Sequence, residues 1–372
     1  MGISPNRRKS SGSNGSRVFG VVDAVTARRH PQNQREPLMS DDLRISSSQI
    51  IERYLSMELV RVTERAAVSA ARLRGHGNEK AADQAAVDAM RRELNRLPID
   101  GEIVIGEGER DEAPMLFIGE KVGTRQGPKV HIAVDPLEGT TLCAKDMPDS
   151  IAVMAMAEAG KLLNAPDVYM DKIAVGGGLP DGVVDLDKTA KQNLADLAKA
   201  KKVEIADLVV CILDRPRHSE LIAKVREAGA RIMLIGDGDV SGVIATSTGD
   251  SGIDIYMGSG GAPEGVLAAA ALRAIGGQIQ GRLLFRNDDE KARAKKWGIT
   301  DLNRKYSMTD MAKGDVMFAA TGVTSGSMLK GVRRFHKGAE THSIVMRSKT
   351  GTVRWISAHH NFSVKTGLPS WA

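Results

Sequence analysis

Short apolar runs of strand length alternate with segments of helical period along this chain, and that alternation leaves few folds open. Ile51, Leu55, Leu59, Val62 and Ala66 recur at helical spacing from about residue 46, and Ala86, Met90, Leu94 and Leu97 mark a second helix with Asp83 near its start. The period then changes: Ile103-Val104-Ile105 and the alternating Val130, Ile132 and Val134 read as strands, as does the apolar run 151–157. After a loop-rich stretch with Gly176-Gly177-Gly178 and Pro180-Asp181-Gly182, strand-like runs at 208–213, 232–235 and 253–257 alternate with helices. One helix runs through Leu221, Ile222 and Val225 to Gly229, one follows Asp239, and one is opened by Pro263. A strand at 316–321 and a hairpin, 343–347 with 353–357 around Lys349-Thr350-Gly351, complete the pattern. The expected fold is α/β, with a parallel or mixed sheet flanked by helices.

A chain of 372 residues exceeds what one core usually supports, so two domains are expected, 41–190 and 191–372, behind a tail of about 40 residues. That tail is rich in Ser, Gly, Asn and Arg without periodicity and reads as disordered. Its Arg/Ser-rich, acid-poor composition also suits a transit peptide, and Met39 could be an alternative start. Residues 1–38 carry seven Lys/Arg against two acids, a net +5 of the chain's +6, so the body is close to neutral and a nucleic-acid surface has no support. No apolar run is long enough to span a membrane and no secretion signal stands out, which makes a soluble cytoplasmic protein the expectation. Cys143 and Cys211 are the only cysteines, excluding a disulfide framework or a cysteine-rich zinc site.

The chemistry gathers where strands end. Val134 delivers Asp135 into Pro136-Leu137-Glu138-Gly139-Thr140-Thr141: two carboxylates, then a glycine and two hydroxyls at a helix start. Carboxylate oxygens suit hard Mg2+ or Mn2+ ions and a helix N-terminus favours phosphate, although Asp135 and Glu138 could equally cap a helix. The loop Gly106–Glu112 packs four acids into seven positions after another strand; alone it could be a solvated charge run.

With these two loops the chain resembles the class II fructose-1,6-bisphosphatases of bacteria, within the lithium-sensitive, metal-dependent phosphatase superfamily that includes inositol monophosphatases. The likeness rests on Val104-Ile105-Gly106-Glu107-Gly108-Glu109, Asp111–Leu116 and Asp135–Thr140. It continues through Ala82-Asp83, Asn164–Met170, Asp214–His218, Asp237–Val240 and Gly260–Gly265, over roughly residues 50 to 360. It implies a two-domain layered α-β-α-β-α sandwich, a sugar bisphosphate as substrate, two or more Mn2+ or Mg2+ ions, and a homo-oligomer, dimer or tetramer. By position, Asp83 and Glu107 would hold one ion and Asp135, Glu138 and Glu264 another. Glu138, Gly139 and Thr140 would meet the reacting phosphate. Tyr169, Arg215, Pro216, Arg217, Asp237, Gly238, Asp239 and Gly261 would meet the sugar and distal phosphate. Thr140 and Glu107 would be catalytic, orienting the attacking water and taking its proton.

Unaided, these residues have plainer readings: Glu264 as a helix-dipole partner, Arg215–His218 as an exposed basic helix start, Asp237–Asp239 as a turn and Tyr169 as packing. The chain departs from many relatives at Glu79, four residues before Asp83, where they carry Lys; here Lys80 is next to it. Competing readings are a dual enzyme that also takes sedoheptulose 1,7-bisphosphate, an inositol phosphatase, which the long likeness disfavours, and a non-catalytic sugar-phosphate or nucleotide binder. Against the last, the chain has no Walker loop and no Gly-x-Gly-x-x-Gly between a strand and a helix with a later acid.

Overall fold

A computed structural model describes residues 47–108 and 115–364, all within one compact unit, Ile45–Ala372. The N-terminal tail and Glu109, Asp111 and Glu112 of the acidic loop lie outside the described residues.

Two helices lead, α1 (Ser47–Ala70) and α2 (Glu79–Leu94); the Asn78 side chain caps α2, accepting from the Ala81 N–H at 3.0 Å. Then come β1 (Asp100–Ile105), β2 (Lys121–Val122), β3 (Lys129–Glu138), the short α3 (Thr140–Ala144), β4 (Ile151–Glu158) and β5 (Tyr169–Val175). Next are α4 (Ala190–Lys201), β6 (Val209–Leu213), α5 (Ser219–Glu227), β7 (Arg231–Ile235), α6 (Asp239–Ala245), β8 (Ile255–Gly261) and α7 (Ala262–Ile275). The rest is β9 (Gln278–Leu284), α8 (Asp288–Lys296), β10 (Lys305–Ser307), α9 (Met308–Met311), β11 (Val316–Gly322), β12 (Arg333–Phe335), β13 (Gly338–Arg347) and β14 (Thr352–Asn361).

The strands form two sheets. The first runs β12-β13-β11-β4-β3-β1-β2 with β14 on β13, the second β10-β9-β5-β8-β6-β7. The central strands of each sheet are apolar on both faces, so both faces must be covered, and three cores result. Leu55, Leu59, Ala86 and Met90 of α1 and α2 pack on Ile132, Met154 and Val345. Between the sheets, α6 and α7 meet Val153, Ala155 and Phe318 from one side and Met170 and Tyr256 from the other. Outside the second sheet, Leu194, Leu197 and Val225 of α4 and α5 cover Ile173, Val210 and Ile212. The order helix, sheet, helix, sheet, helix is the layered α/β arrangement expected. Burying one such Leu or Ile stabilises by about 1.5–3 kcal/mol over leaving it exposed.

The run 151–157 is wholly apolar because β4 is covered on both faces: Val153 and Ala155 point into the inter-sheet core, Met154 and Met156 towards α1. A cut at residue 190 does not follow the sheets. The buried second edge of β4 needs a ladder partner, which β11 supplies from residues 316–322, and β5, from before the cut, pairs with β8 and β9 in the second sheet. The helix opened by Pro263 starts one residue earlier, at Ala262.

Candidate active site

The site follows from strand direction. In the first sheet β1 and β3 are parallel, so the loops leaving their carboxyl ends emerge together, bringing Glu107 beside Asp135. In the second, β6 is parallel to both β7 and β8, so the segments after these strands, Asp214–His218, Gly236–Asp239 and Gly261–Glu264, leave from one end. Strand β5 runs antiparallel to β8, and the segment before it, with Asp167, arrives there too: Tyr169 is paired with Gly261. These ends enclose a cavity of about 370 Å3.

Its lining holds nine of the residues singled out by sequence: Asp83 from α2, Glu107, Asp135, Glu138, Gly139, Thr140, Asp237, Asp239 and Glu264. Asp167 lies among them although sequence reading gave it no role; the one available signal was its place in the matched string Asn164–Met170. Eight carboxylates therefore line the cavity and no Lys, Arg or His among the described residues does.

Local geometry fixes these groups. At Asp135 the β3 ladder shifts register, and the Asp135 carboxylate accepts from the Leu137 N–H at 3.1 Å, holding the turn that swings Glu138 inward. Gly139 has φ 77°, the left-handed region that favours glycine, and a Cβ there would stand 2.9 Å from Leu142 Cδ1. Because α3 spans only five residues, any anion there would rest on free N–H groups of its first turn more than on a helix dipole. The buried Glu138 carboxylate accepts from the Val240 N–H at 3.1 Å, tying the first sheet to α6, while its Oε2 has no hydrogen-bond partner; the buried Glu264 Oε2 has none either.

Burial raises six of these acids, Asp83, Glu107, Asp135, Glu138, Asp237 and Glu264, and for most of them neighbouring carboxylates add to the rise. Burial lifts Glu107 to about 8, with Asp83, Glu264 and Asp167 adding to the rise. Burial lifts Asp83 to about 6. It lifts Glu264 to about 7, helped by Asp239 and opposed by Lys172. Asp135 and Glu138 are driven well above the carboxylate range by burial first, then by Glu107 and Glu138 for the former and Asp239 and Asp237 for the latter. No three His, Cys, Asp or Glu side chains among the described residues stand close enough to hold an ion as they are. The donor set still fits a hard divalent cation: it is all oxygen, mutually repelling, and includes two buried oxygens without a partner.

The remaining residues flank the cavity. Arg215 Nη2 is 3.4 Å from Asp237 Oδ1, and Gly238 lies against Glu138. Pro216 begins a 3-10 turn that carries Arg217, whose guanidinium bonds Ser259 O at 2.8 Å and covers the Tyr169 ring at 4.9 Å; Arg286 also stands over that ring, at 5.0 Å. Tyr169 and Arg217 do not line the cavity itself. His218 is buried, its ring bonded to Leu213 O at 2.7 Å and to the Ser259 N–H at 2.9 Å, so it is a structural strut. Lys80 is exposed, whereas Glu79 is near enough to Asp237 to add, after burial and Asp239, to the rise of its pKa.

A family model described as bacterial fructose-1,6-bisphosphatase, glpX-encoded, matches residues 53–360. The D-fructose 1,6-bisphosphatase class 2/sedoheptulose 1,7-bisphosphatase of Synechococcus elongatus is 44% identical over 342 residues, covering 85% of this chain and 99% of that protein. A protein of the same name from another Synechococcus is 43% identical over 335 residues, covering 83% and 96%. Among solved structures, the extragenic suppressor protein suhB of Bartonella henselae aligns with 52% of this chain and 73% of its own at 19% identity and a TM-score of 0.30, too slight a likeness to carry an argument. The parallel strand ends with their carboxylates and a match along nearly the whole described length agree: the chain belongs to the family of bacterial, glpX-encoded fructose-1,6-bisphosphatases.

Proposed function

We propose that this chain hydrolyses the 1-phosphate of D-fructose 1,6-bisphosphate to fructose 6-phosphate and inorganic phosphate by attack of water, at a site that takes up Mn2+ or Mg2+ through Asp83, Glu107, Asp135, Glu138 and Glu264. The observation that carries this reading is the charge of the cavity. Eight carboxylates with no lining cation among the described residues would repel a bisphosphate, so a site that binds one must first take up positive ions. When bound, such ions supply a lowered pKa for water and neutralise charge on the phosphoryl oxygens.

The chain's own groups do the rest. Gly139 and Thr140 offer backbone N–H groups to the reacting phosphate, and the Thr140 hydroxyl orients the water or passes its proton to Glu107. Arg215 and Arg217 take the distal phosphate, with Pro216 setting their turn. Tyr169, Asp237, Gly238, Asp239 and Gly261 meet the sugar. The names of the relatives favour a second substrate, sedoheptulose 1,7-bisphosphate, on the same site. The family likeness also implies a cytoplasmic homo-oligomer; among the described residues no helix is long and apolar enough to cross a membrane.

The test is phosphate release from fructose 1,6-bisphosphate, sedoheptulose 1,7-bisphosphate and inositol 1-phosphate with Mn2+, Mg2+ or chelator. Metal-dependent turnover of the first is expected, and the ratio to the second sets specificity. Silence on all three with either ion would leave the sugar-phosphate binder as the better reading.

A further inference from the structure

Lys172 is the one buried lysine among the described residues, 1% exposed in the middle of β5. A buried ammonium is costly unless paired, and this one is: it donates to Asp239 Oδ2 and, at 2.9 Å, to Gly261 O. Asp239 carries its carboxylate on the cavity wall, so the pair links the sheet interior to the site.

Two glycines make room for it. The residues paired with Lys172 on the flanking strands are also glycines, Gly258 and Gly281, whose Cβ positions would meet His218 and Met170 instead. A Cβ on Gly260 would stand 2.0 Å from Asp239 Oδ2 and 3.0 Å from Lys172 Nζ; one on Gly265 would stand 3.3 Å from Lys172 Cδ. A side chain at Gly260 would collide with the ion pair itself, and one at Gly265 would press on the lysine stem.

We propose that Lys172 is a positioning residue. It fixes Asp239 in the orientation that receives a sugar hydroxyl and offsets part of the repulsion that this carboxylate exerts on Glu138 and Glu264 beside it. The inference rests on the sugar-bisphosphate reading above.

It is tested by kcat and KM for fructose 1,6-bisphosphate in wild type, Lys172→Met, Asp239→Asn, the double variant and Gly260→Ala. Calorimetric binding of fructose 6-phosphate and turnover of p-nitrophenyl phosphate, which has no sugar, are measured alongside. In Lys172→Met, KM should rise about tenfold, as for a misaligned hydrogen bond to a charged group, and fructose 6-phosphate binding should weaken in step. Its kcat should stay within about threefold, the signature of lost binding instead of lost chemistry. The double variant should be no worse than Asp239→Asn alone. An unchanged KM, an additive double variant, or equal loss on p-nitrophenyl phosphate would overturn the proposal. If Lys172→Met does not fold, Gly260→Ala decides, because it displaces the pair with the lysine retained: the same KM rise is expected and a normal KM refutes. A wild type inert on the sugar but active on p-nitrophenyl phosphate would overturn the functional reading and this inference with it; an active wild type matched by Lys172→Met would overturn this inference alone.

Discussion

Two side chains at the cavity make opposite demands on experiment. Thr140 carries a hydroxyl at the start of α3 beside Asp135 and Glu138, and nothing in its packing requires oxygen there. In Thr140→Ala, kcat should therefore fall at least tenfold, about the lower bound for a lost proton relay, with the melting temperature and Mn2+ binding unchanged; near-normal turnover would remove Thr140 from the chemistry. Glu79 is a different case. It heads α2, where a carboxylate is favourable, yet its charge also bears on Asp237 and so on an anionic substrate. Glu79→Lys should lower KM by about threefold, the scale of one half-screened charge reversal, while destabilising the helix start by about 0.3–1 kcal/mol. Steady-state kinetics and a denaturant titration on the same preparation check both signs at once.

Among the elements, α7 makes the hardest packing demand. It is buried almost throughout, with Ala268, Ala269, Ala270 and Ala271 at 0–1% exposure, because a helix between two sheets must keep its side chains small. Ala269→Leu should cost about 1–3 kcal/mol or more by overpacking, read by urea unfolding, whereas the same change at exposed Lys191 of α4 should be nearly neutral. What the sequence discloses about each element depends on what its side chains meet. Strands β3 and β4 were readable because Val130, Ile132 and Val134 alternate and 151–157 is unbroken. Strand β5 was not, since Asp171 and Lys172 interrupt its apolar run, and only the structure shows Lys172 paired inside. Helix α4 went unread despite a signal: Thr189 and Gln192 form its capping box, a local cue that could have placed it.

Across the molecule, the acidic cavity couples folding to protons and ions. Its carboxyls titrate near 4 when unfolded, but when folded burial holds Asp83 near 6, and burial with repulsion from other carboxylates holds Glu264 near 7 and Glu107 near 8. A raised carboxyl keeps its proton longer in the folded state, so between about pH 4 and pH 8 the unfolded chain binds fewer protons and stability falls as pH rises. The chelator-treated protein should melt lower at about pH 8.5 than at about pH 5.5, and Mn2+ should raise the melting temperature more at the higher pH; calorimetry showing the opposite slope would refute this account. The site was legible in sequence only where an acid ends a readable strand, as Asp135 and Glu107 do. Glu264 looks like any acid at a helix start, and Asp167 precedes the strand whose pattern was hidden; their convergence is a property of strand order, which no local pattern encodes. Strand order also has a mechanical corollary. Asp135 and Glu138 ride on the first sheet and Glu264 on α7, which packs against both sheets, so the spacing between these oxygens is gauged by how far α7 sits along its own axis. A push of a fraction of an ångström at the far end of that stiff rod would change the gap between Glu264 and the carboxylates of the first sheet without touching the cavity.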